Sequence, residues 1–439
     1  MELWPLLVTA IAFGLAVATA AHAIMFRRDS RATLLWVGLV WLAPLVGACL
    51  YSLFGINRVR RKATRLRRGV AHVNMEPSVP PVVPDRLLEE LQQEDFGHFE
   101  QLEHVVDTVV ARPLLSGNQI EPLANGDEAY ESMLAAIDVG KRYSRPRITR
   151  ALRSSGIRHA LFHPRLWTPA SGTINIRNHR KICVVDGRIG FTGGINIKRG
   201  HVLEDHGGDP VQDLHFRIEG PVVGELQEVF AEDWAFSNGE SLKGPAWFPK
   251  IPSVPGGKSL ARVIADGPDE SFDDLRWCLL GALSVAQRSI RIVTPYFLPD
   301  ASLISALNVA AMRGVEVDVL IPSKTNVPLV QWAMRATLWQ VLQHGCRVWL
   351  TPPPFDHTKL MLVDDCWVLF GSANWDERSL RLNFELCVEA YNPSLAAKLG
   401  AIVEQKRDAS RALTLAEVDS RSIPRRLRDG VARLFSPML

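Results

Sequence analysis

The sequence predicts an α/β protein built as a duplicated sandwich, in which mixed β-sheets are flanked by helices, behind an N-terminal two-helix transmembrane hairpin. The duplication rests on one pattern, H-x-K-x4-D, which occurs at residues 179–186 and again at 357–364. A sequence motif that occurs twice indicates two structural repeats, which we predict to share one site. The hairpin rests on two long apolar blocks near the N-terminus.

The two apolar blocks, Leu3 to Phe26 and Ala32 to Ile56, contain no Asp, Glu, Lys or Arg, and each exceeds the ~20 residues that cross a bilayer. Seven basic residues follow between Arg58 and Arg68. Because basic clusters stay in the cytoplasm, both ends of the hairpin are predicted to lie inside. A cleaved signal peptide is the alternative for the first block, since Ala21-His-Ala23 resembles a cleavage site. No basic residue precedes the apolar run, which argues against it.

Composition divides the chain into six segments. They are the transmembrane hairpin (1–56), a basic juxtamembrane, Pro-rich and helical segment (57–112), a first α/β half (113–239), a linker (240–259), a second α/β half (260–406) and a basic amphipathic tail (407–439). In the second half, a predicted strand, helix and strand at 289–294, 301–313 and 315–321 indicate sheet-and-helix layers. The tail groups apolar residues on one helical face with arginines around them. It is therefore predicted either to bind a membrane surface or to pack on the protein's own core.

The motif residues carry the predicted chemistry. The apolar runs Ile182–Val185 and Leu360–Val363 predict buried strands, and because residues two apart on a strand face the same side, the His and Lys of each motif point together. Together the motif residues suit the transfer of a phosphodiester. An imidazole titrates near pH ~6.5, so one histidine can be neutral while the other is protonated. The neutral histidine attacks phosphorus, and the protonated one donates a proton to the leaving alcohol. Lysines and amides neutralise the phosphate, so neither a metal nor another cofactor is expected. The candidate residues are His179, Lys181, Asp186, Gly194, Asn196, His357, Lys359, Asp364, Ser372 and Asn374.

The doubled motif resembles that of the phospholipase D superfamily. The runs Asn175–Lys181, Gly371–Ser379 and Asn383–Glu385 are similar to bacterial cardiolipin synthases in particular. The resemblance covers nearly the whole chain. It implies that the predicted α/β fold is a duplicated phospholipase D-like sandwich.

The same resemblance implies roles for individual residues. It makes His179 the nucleophile that forms a phosphatidyl-histidine, and His357 the general acid and base. It also places an acid downstream of each motif to orient the histidines, and the matching positions are Asp213 and Glu385. Asp186 and Asp364 complete the H-x-K-x4-D motifs. They are expected to tie down the loop after each strand and not to take part in the reaction.

The implied activity is a phosphatidyltransferase that forms cardiolipin and glycerol from two phosphatidylglycerols. The implied partners are phosphatidylglycerol, other phospholipids and the membrane, with the chain in the bacterial inner membrane and its catalytic part in the cytoplasm. Six scattered cysteines without a C-x-x-C pair agree with a reducing compartment.

Two alternative functions remain: hydrolysis of phospholipids by water, and a catalytically impaired membrane homologue. A nuclease is disfavoured by the anchor and by a net charge of only +3. The oligomeric state stays open.

The first half is shorter than the second. When the helices at 132–137 and 278–283 are aligned, the next shared anchor, Gly156 or Gly345, follows after 19 residues in the first half and 62 in the second. The first half therefore lacks about 43 residues, which correspond to the strand, helix and strand at 289–321. Their loss is expected to expose a sheet edge and to impair activity. A first half that was always smaller is the alternative.

Overall fold

The computed structural model describes residues 3–26, 30–52, 96–137, 156–160, 177–204, 209–268 and 273–436. The basic cluster Arg58–Arg68, the Pro-rich spacer at 76–84 and the junction at 138–139 lie outside these residues. The chain divides into two compact units. One contains the N-terminal helices, and the other contains both α/β halves.

The N-terminal unit contains α1 (Leu3–Phe26), α2 (Ser30–Leu42) and α3 (Pro44–Leu50). Among the described residues, α1 provides the one helix that is long and apolar enough to cross a membrane. The second block does not form the predicted continuous span. It is interrupted at Ala43, because Pro44 has no N–H to donate and begins a new helix. The two-helix transmembrane hairpin is therefore not confirmed.

The second unit is a long mixed sheet covered by helices on both faces. Its helices are α4 (Phe99–Val109), α5 (Asn125–Ile137), α6 (Val222–Asn238), α7 (Asp274–Val285), α8 (Ala301–Met312), α9 (Pro328–Arg335), α10 (Trp339–Leu342), α11 (Pro393–Asp408), α12 (Leu415–Asp419) and α13 (Ile423–Arg433). Its strands are β1 (Leu115–Ala124), β2 (Arg177–Asn178), β3 (Ile182–Val185), β4 (Ile189–Gly193), β5 (Val211–Gln212), β6 (Leu214–Glu219), β7 (Ser259–Asp266), β8 (Ser289–Val293), β9 (Phe297–Leu298), β10 (Glu316–Pro322), β11 (Arg347–Thr351), β12 (Phe355–Asp356), β13 (Leu360–Val363), β14 (Trp367–Gly371), β15 (Trp375–Asp376), β16 (Asn383–Tyr391) and β17 (Arg411–Leu413). The strand, helix and strand predicted at 289–321 are β8, α8 and β10.

Strand order reveals the duplication. The sheet runs β17-β11-β10-β8-β13-β14-β16-β7-β1-β6-β4-β3, with β7 and β1 paired antiparallel at the junction of the halves. Outward from this junction, β16, β14 and β13 on one side match β6, β4 and β3 on the other. The second half continues through β8, β10 and β11. Within the described residues, the first half ends at β3.

This difference changes the burial of the two motif strands. All four residues of β13 are buried, because β8 and β14 pair with it on its two sides. Those of β3 are only half-buried, and β4 is its one sheet neighbour among the described residues. The prediction of a buried strand at Ile182–Val185 was therefore wrong in degree. The sequence is as apolar as that of β13, but the described residues include no second strand beside β3.

Each face of the sheet has its own core. Alternating side chains of β7 separate the two cores, with Leu260 and Ile264 on one face and Val263 and Ala265 on the other. The first face is covered by α4, α7 and α8, and the second by α6 and α11. The acidic helix α4 attaches through Phe99, Leu102 and Val106.

Candidate active site

Two short strand pairs bring the halves together at the motif histidines. Strand β2 pairs in parallel with the start of β16, and the backbone N–H of His179 donates to the carbonyl of Phe384 at 2.9 Å. In the same way β12 pairs with β5, and the N–H of His357 donates to the carbonyl of Gln212 at 2.8 Å. Each histidine is therefore held by the backbone of the opposite half.

The side chains cross between the halves as well. His179 Nδ1 lies 2.9 Å from Glu385 Oε2, and His357 Nδ1 lies 2.8 Å from Asp213 Oδ2. Each acid thus orients the histidine of the other motif. When Nδ1–H is donated to the carboxylate, Nε2 is the nitrogen left for chemistry. The side chain of His179 is 29% exposed and that of His357 only 11%, so His179 is the more open of the two.

Both motif lysines are drawn into the same cluster. Lys181 Nζ donates to the carbonyl of His179 at 2.6 Å, and Lys359 Nζ donates to that of His357 at 2.5 Å. Burial lowers the pKa of Lys181 to about 8 and that of Lys359 to about 7, while the nearby acids Asp213 and Glu385 oppose the change. Because each lysine is influenced by both acids, the two motifs form one electrostatic site.

The protonation of the histidine–acid pairs follows from burial and charge. Burial, assisted by Lys359, lowers the pKa of His357 to about 4, against the pull of Asp213. Burial alone would raise the pKa of Asp213, but His357 and Lys359 bring it down to about 2. Burial likewise opposes ionisation of Glu385, yet His179 and Lys181 lower its pKa. Both acids are thus anionic at pH 7, and the lowered pKa of His357 favours its neutral form.

The small residues after each motif contact the acids. Ser372 Oγ donates to Glu385 Oε2 at 2.5 Å and accepts from the N–H of Leu386 at 2.9 Å. Gly194 holds the equivalent position in the first half, where a Cβ would lie 2.2 Å from Asp213 Oδ1. A side chain is therefore excluded there. Both candidate residues therefore lie against the acids that orient the histidines, and their predicted contact with substrate stays a prediction.

The two predicted asparagines differ in their surroundings. Asn374 is buried, and its Nδ2 donates to Ser379 Oγ at 3.2 Å. Asn196 is half-buried, and its backbone carbonyl oxygen accepts a hydrogen bond from the hydroxyl of Tyr130 at 2.5 Å. A contact between either amide and a substrate phosphate remains a prediction.

The motif aspartates lie away from this cluster. Asp364 follows β13, roughly 20 Å along the chain from His357 at the rise of an extended strand. Its buried carboxylate accepts the N–H groups of Gln287, Arg288 and Ser289 at 2.7–2.8 Å, and it also lies 2.8 Å from His98 Nε2. It therefore fixes the start of β8, as expected for a structural residue. Asp186 is exposed, and the described part of the chain offers its carboxylate no hydrogen-bond partner.

One histidine in the site was missed by the sequence reasoning. His201 is buried, with Nδ1 3.8 Å from Asp213 Oδ2 and its ring centroid 5.8 Å from that of His357. The ligand atoms of these three residues lie within 4.8 Å of one another, a spacing that permits metal binding. The buried lysines beside them disfavour a cation, and we assign no metal. The sequence does contain a signal for this histidine: when the two repeats are aligned at their motif histidines, His201 takes the position of Ser379 in the second half.

The class of protein follows from the fold, the site and comparison with known proteins. Residues 279–407 match the family described as "Cardiolipin synthase, PLD-like domain", and residues 14–55 match "Phospholipase_D-nuclease N-terminal". The crystal structure of phosphatidylserine synthase from Haemophilus influenzae Rd KW20 aligns with a TM-score of 0.55 at 15% identity, covering 77% of this chain and 100% of that one. At this identity the likeness shows the fold. The chain therefore has the phospholipase D-like fold that the doubled motif predicted.

Within that class, the curated relatives are bacterial cardiolipin synthases. The chain is 28% identical over 459 positions to "Major cardiolipin synthase ClsA" of Bacillus subtilis (strain 168), covering 94% of this chain and 95% of the relative. It is 27% identical over 483 positions to "Cardiolipin synthase" of Alkalihalophilus pseudofirmus, covering 100% of this chain and 95% of the relative. Because this chain has 439 residues, 44 of those 483 positions are empty in it.

Proposed function

We propose that the chain is a phosphatidyltransferase that forms cardiolipin and glycerol from two molecules of phosphatidylglycerol. The observation that carries the proposal is the crossed arrangement in which each motif histidine is bonded to the acid of the other half. The similarity to cardiolipin synthases over nearly the whole chain supports the substrate. The buried lysines supply the positive charge that a phosphodiester requires.

The first step forms a covalent intermediate. His179 Nε2 attacks phosphorus, and the bond from phosphorus to the glycerol headgroup oxygen breaks. His357 gives that oxygen a proton, so that neutral glycerol leaves and a phosphatidyl-histidine remains. Because His357 is neutral in the empty site, it must gain its proton when the substrate binds. The negative charge of the bound phosphate favours this, since it raises the pKa of a neighbouring imidazole.

The second step reverses the roles of the proton carriers. His357, now neutral, removes a proton from the free glycerol hydroxyl of a second phosphatidylglycerol. The resulting oxygen attacks phosphorus, the bond to His179 breaks, and cardiolipin forms. If water replaces the lipid alcohol, the same step yields phosphatidic acid, the product expected of the hydrolase alternative.

The activity is tested with the full chain in vesicles of phosphatidylglycerol. We expect equal amounts of cardiolipin and glycerol, both lost in His179→Ala and His357→Ala. Phosphatidic acid as the main product would instead support the hydrolase. If neither product formed, a catalytically impaired homologue would be favoured. Expression in a cardiolipin-free host provides the same comparison in cells.

We further propose that the α/β unit lies on the cytoplasmic face of the bacterial inner membrane. The support is α1 as a candidate span, together with the basic cluster between Arg58 and Arg68, which the positive-inside rule retains in the cytoplasm. A reporter fused after Leu439 should be active only as a cytoplasmic reporter. An exported C-terminal reporter would contradict the proposal. A second reporter in the loop Arg27–Arg31 will read as external only if α2 and α3 return across the bilayer together.

A further inference from the structure

The C-terminal helix α13 packs with its polar side inward. It contacts α9, and the residues that it buries are Asp429 and Ala432. Asp429 accepts from Arg421 at 2.7 Å and from Arg428 at 2.6 Å. The guanidinium of Arg428 also lies 4.5 Å from the ring centroid of Trp332 on α9. Charge pairs and one small residue therefore fix this helix to the protein.

The large apolar residues of this helix and its C-terminal end point to solvent. Ile423, Leu427 and Leu434 are 79%, 67% and 75% exposed. The apolar stripe, as we name it, comprises Ile423, Leu427, Val431, Leu434 and Phe435, all of them exposed. Their spacing puts them on one helical face, roughly opposite the buried Asp429 and Ala432. A helix of a globular protein normally turns such a stripe toward the core, so a large exposed stripe indicates a further contact.

Positive charge surrounds the apolar stripe. Arg425, Arg426, Arg428 and Arg433 are exposed on the same helix. A cavity of about 380 Å³ between α9 and α13 adds more positive charge. Its charged lining consists of Arg335, Arg411, Arg421, Arg425, Arg428, Glu417 and Asp429. Five cations therefore face two anions, and this end of the protein carries an excess of guanidinium groups.

We propose that α13 docks on the surface of an anionic phospholipid bilayer, as a second membrane contact in addition to α1. The apolar stripe enters the boundary between headgroups and acyl chains, and the flanking arginines bind lipid phosphates. An apolar face bordered by cations is the arrangement that binds anionic membrane surfaces. The contact would hold the α/β unit against the surface that contains its lipid substrate. This inference does not depend on the chemistry at His179 and His357.

The test maps lipid contact directly in the full chain. The protein is reconstituted in phosphatidylcholine vesicles with and without phosphatidylglycerol, each with a trace of phosphatidylcholine that carries a photoreactive diazirine on its acyl chain. After irradiation, mass spectrometry locates the lipid adducts. We expect adducts within 423–435 in the phosphatidylglycerol vesicles and few without it. Adducts on α1 should form in both, which confirms insertion in each sample.

Variants separate the apolar and the charged contributions. Leu427→Glu with Val431→Glu should abolish adducts at α13, and Arg425→Ala with Arg426→Ala should lower them to the level seen without phosphatidylglycerol. Met312→Glu is the matched control, because Met312 is 63% exposed at the end of α8, outside the apolar stripe. It should change nothing at α13. Absence of adducts within 423–435 would overturn the docking, as would a protein partner that covers the stripe. Equal adducts with and without phosphatidylglycerol would overturn the requirement for anionic lipid.

Discussion

The two motif histidines are chemically unequal despite their symmetric setting. His179 is the more exposed, whereas His357 is buried, neutral in the empty site and adjacent to a second buried imidazole, His201. A half-buried imidazole oriented by Glu385 and open to solvent on one side suits attack on an incoming lipid. A buried imidazole whose proton depends on the bound phosphate suits proton transfer. The asymmetry therefore supports the roles that the resemblance implied.

We predict that the phosphatidyl adduct forms on His179. In the His357→Ala variant both steps are slowed, because the acid that protonates the leaving glycerol and the base that activates the acceptor are the same missing imidazole, so an adduct that does form on His179 persists. Mass spectrometry of protein quenched with denaturant at alkaline pH, where the P–N bond survives, should find the added mass on the peptide that contains His179 after incubation with phosphatidylglycerol. His179→Ala is the control and should carry no adduct. An adduct on His357 in the latter variant would reverse the assigned roles.

We also predict that activity falls at alkaline pH as the buried lysines lose their charge. Lys359 and Lys181 have pKa values of about 7 and 8, so kcat/KM should decrease as the pH rises through this range. Bound phosphate favours the charged form of both lysines, so the fall in kcat should occur at higher pH than the fall in kcat/KM.

Lys181→Ala and Lys359→Ala should each lower kcat by about 10²-fold. The double variant should lose much less than the product of the two single losses, because both lysines serve one pocket. Lys398→Ala, on an exposed lysine, is the control. Additive losses would indicate two independent sites.

At the level of the residue, the sequence predicts the components of the site better than their connections. The histidines, lysines and acids are recognisable from motif and resemblance, and the structure brings them together. Their crossed pairing was not predictable, because it depends on the parallel contacts of β2 with β16 and of β12 with β5. His201 was overlooked because it belongs to no motif and reaches the site through a short turn.

At the level of the element, strand β16 connects the site to the core. Its first residues hold the backbone of His179, and Glu385 orients the side chain. Four residues later, the buried Glu389 pairs with Arg262 of β7 at 2.7 Å and accepts from Trp367 Nε1 at 3.0 Å. Arg262 is also paired with Asp107 of α4. A buried ion network thus ties β16, β7 and α4 together beneath the active site.

We predict that Glu389→Ala destabilises the protein by about 3 kcal/mol, because it removes the buried partner of Arg262 and leaves the half-exposed Asp107 as the acid paired with that buried charge. The measurement is the thermal unfolding midpoint of the full chain in detergent, followed by tryptophan fluorescence. Glu404→Ala is the matched control, since Glu404 pairs with Arg291 at a half-exposed position. Its effect should stay within about 1 kcal/mol. Equal midpoints for the two variants would show that the network contributes little.

Sequence patterns predicted elements well where local and tertiary preferences agree. Strands β8 and β10 and helix α8 match the predicted ranges to within a residue or so at each end. The second N-terminal block was misjudged, because its composition is apolar throughout and the break at Ala43–Pro44 is a backbone property that hydropathy ignores. Within the tail, the amphipathic run at 423–433 forms a helix and Arg411–Leu413 forms strand β17, and the inward direction of the polar face of that helix could be seen only in the packing against α9.

At the level of the whole molecule, the described residues of the two halves differ in how they support the motif strands. The second half supports its motif strand with β8, β10 and β11, whereas β3 ends the sheet among the described residues. The aspartates show the same loss: Asp364 binds the backbone that begins β8, and Asp186 is exposed. A deletion and a half that was always small both remain predictions.

We therefore predict that this chain makes cardiolipin weakly, and that restoring the segment increases both activity and stability. A strand-helix-strand segment of about 43 residues, inserted between Asp138 and Val139, should pair with β3, which has β4 as its one sheet neighbour among the described residues, and should bring backbone N–H groups to the exposed Asp186. The reason is that β3 begins three residues after His179, so movement of this strand would displace the histidine. A catalytic group displaced by ~1 Å can lose about 10²-fold in rate. Activity is compared in membrane extracts at matched expression, and protease resistance is mapped across the first half. A Gly/Ser insert of the same length is the matched control and should restore neither property. If the short chain already matched the restored one in both activity and protease resistance, the edge at β3 would be harmless and the reduced first half a complete catalytic unit.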